Sequence, residues 1–265
     1  ILVYREQVGV SRRLGRVVSM ASDTWTGLKQ TSGTSVYYVE EEGSITDSDA
    51  NVARYSLRAK KRASLTYVSP ELRDDAMIGV MDWLAQDIAH QFALKEDQEF
   101  VVGDGTSTYG GVRGVRPAVI AATASVFTAS VGDHDEWSEL TLSDFYGAMS
   151  LLSDKYRGLP LSWLVSGPFK WQVMDRLALA QGGAVMQNVV NGQPEFQFLG
   201  YPVVLSDRMP TTTATSSVCA LFGAFANAVV IGDRRGMEIA VSEHYKFNTD
   251  QIAVRATSRY DINVH

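Results

Sequence analysis

The chain has 265 residues, of which 45% are hydrophobic and 20% are charged, a composition typical of a folded globular protein. Its formal net charge of −6 excludes a protein that wraps nucleic acid over its whole surface, because duplex affinity comes mainly from Lys and Arg that neutralise phosphates. The single cysteine, Cys219, excludes both a disulfide within the chain and a thiolate metal cluster. No apolar stretch approaches the roughly 20 residues of a membrane-spanning helix, so we expect no membrane association.

Residues 1–32 are typical of an arm rather than of a core segment. They contain five basic and two acidic residues, which leaves the remaining chain with a net charge of −9. We expect Arg12 and Arg13 in this arm to contact the acidic surface of another copy. A solvated basic tail is the alternative.

Charges separate along residues 36–68. Acidic residues come first, at Glu40, Glu41, Glu42, Asp47 and Asp49. Basic residues follow, at Arg54, Arg58, Lys60, Lys61 and Arg62. The flanks VYYV (36–39) and ASLTYV (63–68) have strand propensity, which predicts an extended hairpin over residues 33–69. Because an isolated hairpin is marginally stable, we expect its charged residues to contact another subunit; a mobile loop is the alternative.

The triplet Ser69-Pro70-Glu71 predicts the start of a helix, with the serine as N-cap and the proline at the first helical position. The helix is predicted to run from residue 70 to about residue 100, a length of roughly 45 Å. Apolar residues recur at every fourth position, at Leu72, Ala76, Val80, Leu84, Ile88 and Phe92. A stripe with this spacing drifts around the helix axis, so the two halves of this spine helix should face different neighbours.

The glycine-rich segment GDGTSTYGG, residues 103–111, follows the predicted spine helix. It lacks the Gly-Lys-Ser/Thr of a phosphate-binding P-loop and the third glycine of a dinucleotide fingerprint. Its only acidic residue is Asp104, which is too few for a calcium loop. We therefore expect Gly103, Asp104 and Gly105 to form a tight turn, and the family resemblance described below implies that this turn meets a neighbouring subunit. An enzyme that binds a phosphorylated ligand at this loop is the alternative.

A second unit is predicted to begin at Thr141, which has the spacing of a capping box with Asp144. A helix is predicted over residues 168–179, and strands near residues 163–165, 201–205, 218–222 and 228–231. Alternating apolar residues predict further strands within residues 237–264.

Catalytic constellations are not evident in the sequence. The histidines at 90, 134, 244 and 265 lack metal-ligand spacing, and no Gly-x-Ser-x-Gly nucleophile elbow occurs. We expect Cys219, in the apolar run VCALF, to be a buried and inert thiol. The sequence therefore predicts a protein that is not an enzyme and that has no cofactor or metal.

The segment ELRDDAMIGVMDWLAQDIAHQFALKEDQEFVVGDGTSTYGGVRGV, residues 71–115, resembles the long helix and following Gly-Asp-Gly-Thr loop of tailed-phage major capsid proteins. The resemblance covers the chain from residue 33 onward. It continues through SDKYRG, LSWLVSGP, FLGYPVVLSDRMP, LFGAFANAVVIGDRRGMEI and RATSRYDINV.

This resemblance implies an α+β fold of the Hong Kong 97 capsid type, with a long spine helix and an extended β-hairpin loop. The implied divisions are an N-terminal arm (1–32), the hairpin loop (33–69), a peripheral domain (70–140 and 232–265) and an axial domain (141–231). Some relatives lose an N-terminal scaffolding segment to a protease, and some join subunits through Lys–Asn bonds. Although Lys60 and Lys61 lie in the hairpin, no matching catalytic motif is evident, so we do not predict crosslinks.

The resemblance further implies a subunit that forms pentamers and hexamers of an icosahedral shell around the double-stranded DNA genome of a tailed phage. Such a protein is located in the virion and is assembled in the host cytoplasm. Portal, scaffolding or protease, and decoration proteins are its implied partners, and the packaged DNA is contacted weakly and without sequence preference. A compartment shell similar to encapsulin is the alternative within the same fold.

Overall fold

The computed structural model describes residues 9–44, 46–75, 79–122, 126, 136–180, 187–190, 193–214 and 217–265. Helices and sheets alternate along the chain, so the α+β prediction is confirmed. Of the histidines considered above, His134 lies outside the described residues.

A four-stranded sheet has the strand order β1-β10-β11-β4. Its members are β1 (Arg16–Ser19), β4 (Lys60–Val68), β10 (Val229–Lys246) and β11 (Gln251–Val264). Strand β1 is parallel to β10, whereas β11 is antiparallel to both β10 and β4. The predicted alternation over 237–264 thus forms two long strands, and residues 229–231 begin β10 instead of forming a separate strand of the second unit.

The spine helix, Val80–Val102, packs on one face of this sheet. Leu84, Ile88 and Phe92 contact Val68, Val254 and Ala256 of the sheet. Phe100 and Val101, near the other end, lie instead in the main core with residues from both halves of the chain. The prediction that the two halves of the spine face different neighbours is therefore confirmed.

The predicted start of the spine helix needs correction, whereas its end at Val102 agrees with the prediction of about residue 100. A separate short helix, α2 (Pro70–Asp75), precedes the spine, and Leu72 donates its backbone N–H to Ser69 Oγ at 3.2 Å, as the N-cap prediction required. Gly79 then takes a non-helical conformation immediately before Val80. Glycine is costly inside a helix, so the spine begins after it rather than continuing from residue 70.

The extended hairpin is built from strands other than those predicted. Strand β2 (Thr24–Ser32) pairs antiparallel with β3 (Asn51–Arg58), whereas ASLTYV belongs to β4 and pairs with β11. The segment VYYV forms no strand and lies in the hairpin tip, residues 33–44 and 46–50. Residues 24–32 therefore belong to the hairpin rather than to a free arm.

The base of the hairpin is fixed by a small apolar cluster. Leu57 is completely buried and packs with Met20 and Val230, a residue of β10. Gly232 has no room for a side chain, because an added Cβ would lie 2.6 Å from Met20 Sδ. The hairpin thus projects from a packed base.

A five-stranded sheet, in the order β6-β7-β8-β5-β9, forms the second unit. Its strands are β5 (Ser162–Val165), β6 (Gln187–Val190), β7 (Gln193–Phe198), β8 (Tyr201–Leu205) and β9 (Ala220–Gly223). Helices pack around it: α4 (Val115–Ala121), α5 (Leu142–Ser150), α6 (Gly167–Phe169), a π-helical turn (Lys170–Met174), α7 (Asp175–Ala180) and α8 (Phe225–Ala228). The predicted capping box is present, since Thr141 donates its backbone N–H to Asp144 Oδ2 at 2.8 Å.

Replacing Leu57 with alanine tests whether the hairpin base is part of the folded core. We expect Leu57→Ala to lower the free energy of unfolding by about 2–5 kcal/mol, because a fully buried leucine leaves a cavity. The matched control is Leu28→Ala on the same hairpin, where the side chain is 66% exposed and the expected change is within about 0.5 kcal/mol. Denaturant unfolding of both variants measures the difference, and equal losses would contradict a packed base.

Candidate assembly site

Buried charges join the spine helix to three other elements. Glu96, which is 1% exposed, accepts a hydrogen bond from Arg12 Nε at 2.7 Å through one oxygen and from Arg62 Nη2 at 3.1 Å through the other. Arg12 also lies 2.7 Å from Asp233 of β10. These four residues, together with Glu99, are called the charge hub below. The hub connects the spine to the short helix α1 (Val10–Leu14), to β4 and to β10.

Two further contacts support the arginines of the hub. Arg62 donates to the backbone carbonyl of Phe92 at 3.1 Å, and its guanidinium carbon lies 3.6 Å from the centroid of the Tyr260 ring. The pKa of Arg12 reflects opposing effects, since burial lowers it while Glu96 and Asp233 raise it, with a net increase. Both arginines therefore remain charged inside the protein.

Asp97 caps helix α1 from a distance in the sequence. Its two carboxylate oxygens accept the backbone N–H groups of Val10, at 3.1 Å, and Ser11, at 2.8 Å. These N–H groups are in the first turn of α1, where they lack partners within the helix. Burial raises the pKa of Asp97, an effect that these hydrogen bonds oppose. The spine helix thus anchors helix α1 of the arm.

The structure places the two predicted arm residues differently. Arg12 forms ion pairs within its own chain, with Glu96 and Asp233, and its predicted contact with a neighbour stays a prediction. Arg13 is exposed and remains a candidate contact. The positive charge of the arm is therefore partly neutralised by the spine helix.

The glycine loop, residues 103–111, is a closed turn at the end of the spine. Gly105 donates to Val112 O at 2.9 Å and Gly111 donates to Thr106 O at 2.7 Å. Asp104 Oδ1 accepts the N–H of Thr106 at 2.8 Å, and hydrogen bonds from Thr106 hold the pKa of Asp104 below its ordinary value. Because these amides bond within the loop, they are not directed at a phosphate as in a P-loop.

Two glycines of this loop are required for different reasons. Gly105 has φ +82°, in the left-handed region that side chains disfavour. Gly103 has φ −50°, but an added Cβ would lie 2.5 Å from Glu99 O. Gly105 is therefore required by its backbone angle, whereas Gly103 is required by the close approach of neighbouring backbone atoms.

The hairpin tip presents exposed acidic and apolar residues together. Glu40, Glu41 and Glu42 are exposed, and Glu42 has φ +68°. Beside them, Val36 is 96% exposed and the Tyr38 side chain is fully exposed. Apolar side chains exposed next to charges are typical of interaction surfaces.

The basic residues after the tip separate into distinct environments. Arg58 donates its backbone N–H to Asp261 Oδ2 at 2.8 Å, while its side chain is exposed. Lys60 forms a 3.3 Å ion pair with Asp261 and lies beside Gly111, so it connects the foot of the hairpin to the glycine loop. Lys61 is exposed on the opposite side of β4.

Lys61 belongs to a surface that sequence reasoning did not identify. This basic sheet face lies opposite the spine helix and consists of Lys61, Leu65, Tyr67, Tyr245, Lys246 and Arg255. Leu65 is 49% exposed and pairs directly with Arg255 of β11. Tyr67 stacks on Tyr245 with ring centroids 6.2 Å apart, and Lys246 Nζ lies 5.4 Å from the Tyr67 centroid. The alternation of side chains along β4 could have indicated that Lys61, Leu65 and Tyr67 share one face. The pairing of β4 with β11 was needed to add Arg255 to that face.

The described residues contain no group of His, Cys, Asp and Glu that could hold a metal ion. Within the same residues, no helix is both long and apolar enough to cross a membrane. A groove of about 830 Å³ is lined mainly by apolar side chains such as Phe145, Phe222 and Cys219. Burial raises the pKa of the Cys219 thiol, which disfavours a reactive thiolate.

The model of the phage capsid family matches residues 1–265. The solved capsid of a native GTA particle has a TM-score of 0.72 and 18% identity, covering 96% of this chain and 85% of its own. A structure from Mycobacterium phage Bobi has a TM-score of 0.71 and 20% identity, covering 97% and 84%. The SrpI encapsulin of Synechococcus elongatus has a TM-score of 0.67 and 13% identity, covering 98% and 83%. No curated protein matches the sequence.

Substitution of the neighbouring arginines of the arm tests the charge hub. We expect Arg12→Ala to lower the free energy of unfolding by about 3–5 kcal/mol, because it removes one of the cations that pair with buried Glu96 and also breaks the ion pair with Asp233. Arg13→Ala, at an exposed position, should change it by less than about 0.5 kcal/mol. Denaturant unfolding measures both values, and an Arg12→Ala variant as stable as Arg13→Ala would refute the structural role of the hub.

Alanine substitutions distinguish the two glycines of the loop. Gly103→Ala should cost roughly 1–3 kcal/mol because its Cβ collides with backbone oxygens. Gly105→Ala should cost about 1–2 kcal/mol through its left-handed φ, and Gly105→Asn should recover part of that loss. Thermal unfolding provides the comparison. If Gly103→Asn were also more stable than Gly103→Ala, as is expected of the two variants at position 105, the steric explanation for Gly103 would be wrong.

Proposed function

This chain belongs to the phage capsid family, and we infer from that membership that it is a major capsid protein. It is a structural protein that associates with copies of itself in a virion shell. Its function therefore depends on surfaces that recognise other copies. The exposed acidic and apolar hairpin tip is the observation that supports this function most directly, because one chain alone leaves these side chains in solvent.

We propose that the hairpin tip of one copy binds the basic sheet face of the next. The tip contains five acidic residues and no basic residue between positions 33 and 50. The sheet face offers Lys61, Lys246 and Arg255 around exposed apolar and aromatic groups. Charge complementarity selects this partner surface, and burial of Val36 and Tyr38 against Leu65 and Tyr67 adds apolar contact.

The hairpin can bridge two subunits because of its length. Its paired strands extend for up to nine residues, or roughly 30 Å at about 3.3 Å per residue, before the tip begins. Each tip contact can be modest, since every subunit in a closed shell engages several neighbours at once. Arg13, Arg58 and the glycine loop with Asp104 provide additional proposed contacts.

The remaining family expectations are extensions of this proposal. The spine helix and four-stranded sheet form the peripheral domain, and the five-stranded sheet forms the axial domain. Pentamers and hexamers assemble in the host cytoplasm into a shell that encloses double-stranded DNA, which the acidic subunit contacts weakly. Portal, scaffolding or protease, and decoration proteins complete the particle.

Charge reversal tests the proposed contact. We expect Glu40→Lys, Glu41→Lys and Glu42→Lys together to raise the subunit concentration needed for shell assembly at least about tenfold, because like charges then meet at each contact. Further reversal of Lys61, Lys246 and Arg255 to glutamate in the same chain should restore assembly. Sedimentation and electron microscopy measure the yield of closed particles.

The matched control changes the net charge equally at other exposed positions, with Glu136, Asp154 and Asp207 replaced by lysine. This variant should assemble normally if the location of the charge matters. Failure of the compensating reversal to restore shells would reject the tip-to-sheet contact. Double-stranded DNA within particles isolated from infected cells supports a phage shell, whereas a protein cargo without DNA would support the compartment alternative.

A further inference from the structure

Glu99 is the one carboxylate of the charge hub that forms no side-chain hydrogen bond among the described residues. It is 4% exposed, and its Oε2 atom is buried without a hydrogen-bond partner. The nearest cationic atoms are Arg62 Nη1 and Lys95 Nζ, each 4.0 Å away. These distances are too long for hydrogen bonds.

The cations around Glu99 are already committed to other acceptors. Arg62 is bound to Glu96 and to the carbonyl of Phe92, while Lys60 is paired with Asp261. Lys95 is 39% exposed and can remain hydrated. The charged and titratable groups packed around this site come from five elements: Arg12 of α1; Lys60 and Arg62 of β4; Lys95, Glu96 and Asp97 of the spine helix; Asp233 of β10; and Tyr260 and Asp261 of β11.

We propose that Glu99 is a proton-controlled latch between the spine helix and the foot of the hairpin. With its proton bound, the carboxyl is neutral and leaves Arg62 on Glu96 and on Phe92 O. When the proton is released to solvent, the carboxylate competes with Phe92 O for the Nη1 group of Arg62, because an ionised group in this environment requires a hydrogen-bonded cation.

The competition between Glu99 and Phe92 O affects the hairpin because Arg62 lies at the hairpin's foot. Arg62 is on β4, which is separated from hairpin strand β3 by Ala59 alone. Lys60, on the same side of β4, is also close to Glu99 and contacts the glycine loop near Gly111. A shift of β4 toward the spine therefore moves the hairpin foot relative to the loop.

The direction of the proton effect follows from the surroundings of Glu99. Burial is the main cause that raises the pKa of Glu99; Arg62, Lys95 and Lys60 lower this pKa and Glu96 raises it, and together these effects bring it from 4.5 to about 7. The folded chain therefore retains a proton that the unfolded chain loses. This contribution to stability is complete below about pH 4.5 and disappears as the pH rises through about 7.

Glu99→Gln tests the proton site, because glutamine resembles the protonated carboxyl at every pH. For the natural chain, we expect the unfolding equilibrium constant to rise on the order of 100-fold more between about pH 5 and about pH 8 than it does for Glu99→Gln. Asp104→Asn, which removes an exposed carboxyl with a lowered pKa, is the control and should retain the full pH response. Denaturant unfolding of the full chain across this range supplies the constants.

Amide hydrogen exchange, corrected for the intrinsic effect of pH, tests the latch itself. The protection of the backbone amides of β3 and β4 against exchange should change near pH 7 in the natural chain and in Asp104→Asn. In Glu99→Gln this protection should stay constant. An identical pH response of stability in the natural chain and Glu99→Gln would exclude the proton site. A stability difference without an exchange difference in β3 and β4 would exclude the latch. Neither failure affects the tip-to-sheet contact, which is tested by charge reversal.

Discussion

The side chain of Glu96 joins segments that are distant in the sequence, and the arrangement of the other elements depends on it. One oxygen binds Arg12 of α1 and the other binds Arg62 of β4, across sequence separations of 84 and 34 residues. Removing charges from water is costly, so such a cluster is stable only when each partner is present and well oriented. The ion pairs therefore fix where the arm and the hairpin foot meet the spine helix.

Buried and exposed charges have different roles in this subunit. The two glutamates of the hub are buried and its other members are only partly exposed, so its ion pairs are screened less by salt and determine geometry within one chain. The acidic tip and the basic sheet face remain exposed, where individual ion pairs are weak and are screened by salt. The proposed contacts, being weak and charge-selected, would allow incorrectly placed subunits to dissociate during assembly, while the buried hub holds the contact surfaces in a constant arrangement.

Local signals in the sequence predicted much of the fold, and pairing across long distances was the main source of error. The capping box of Thr141 and Asp144 requires only neighbouring residues, and it is present as predicted. VYYV has high strand propensity but finds no partner strand, because propensity describes fit to a half-buried sheet surface. Arg12 likewise lies in a basic segment whose composition predicts contacts with another copy, yet the acidic partners that the structure gives it lie far along the same chain. Without the β4–β11 register, Lys61 and Arg255 could not be assigned to one surface.

The end of the spine helix couples the glycine loop to the hairpin through a single residue. The backbone carbonyl of Glu99 accepts the N–H of Gly103 at 3.1 Å, which fixes the direction in which the chain leaves the helix and enters the loop. Its side chain faces Arg62, at the foot of the hairpin. Lys60 closes the connection by lying beside Gly111. The hairpin and the glycine loop, which are both proposed to contact other copies, are therefore held by the same helical turn. A change at that turn would alter both contacts together.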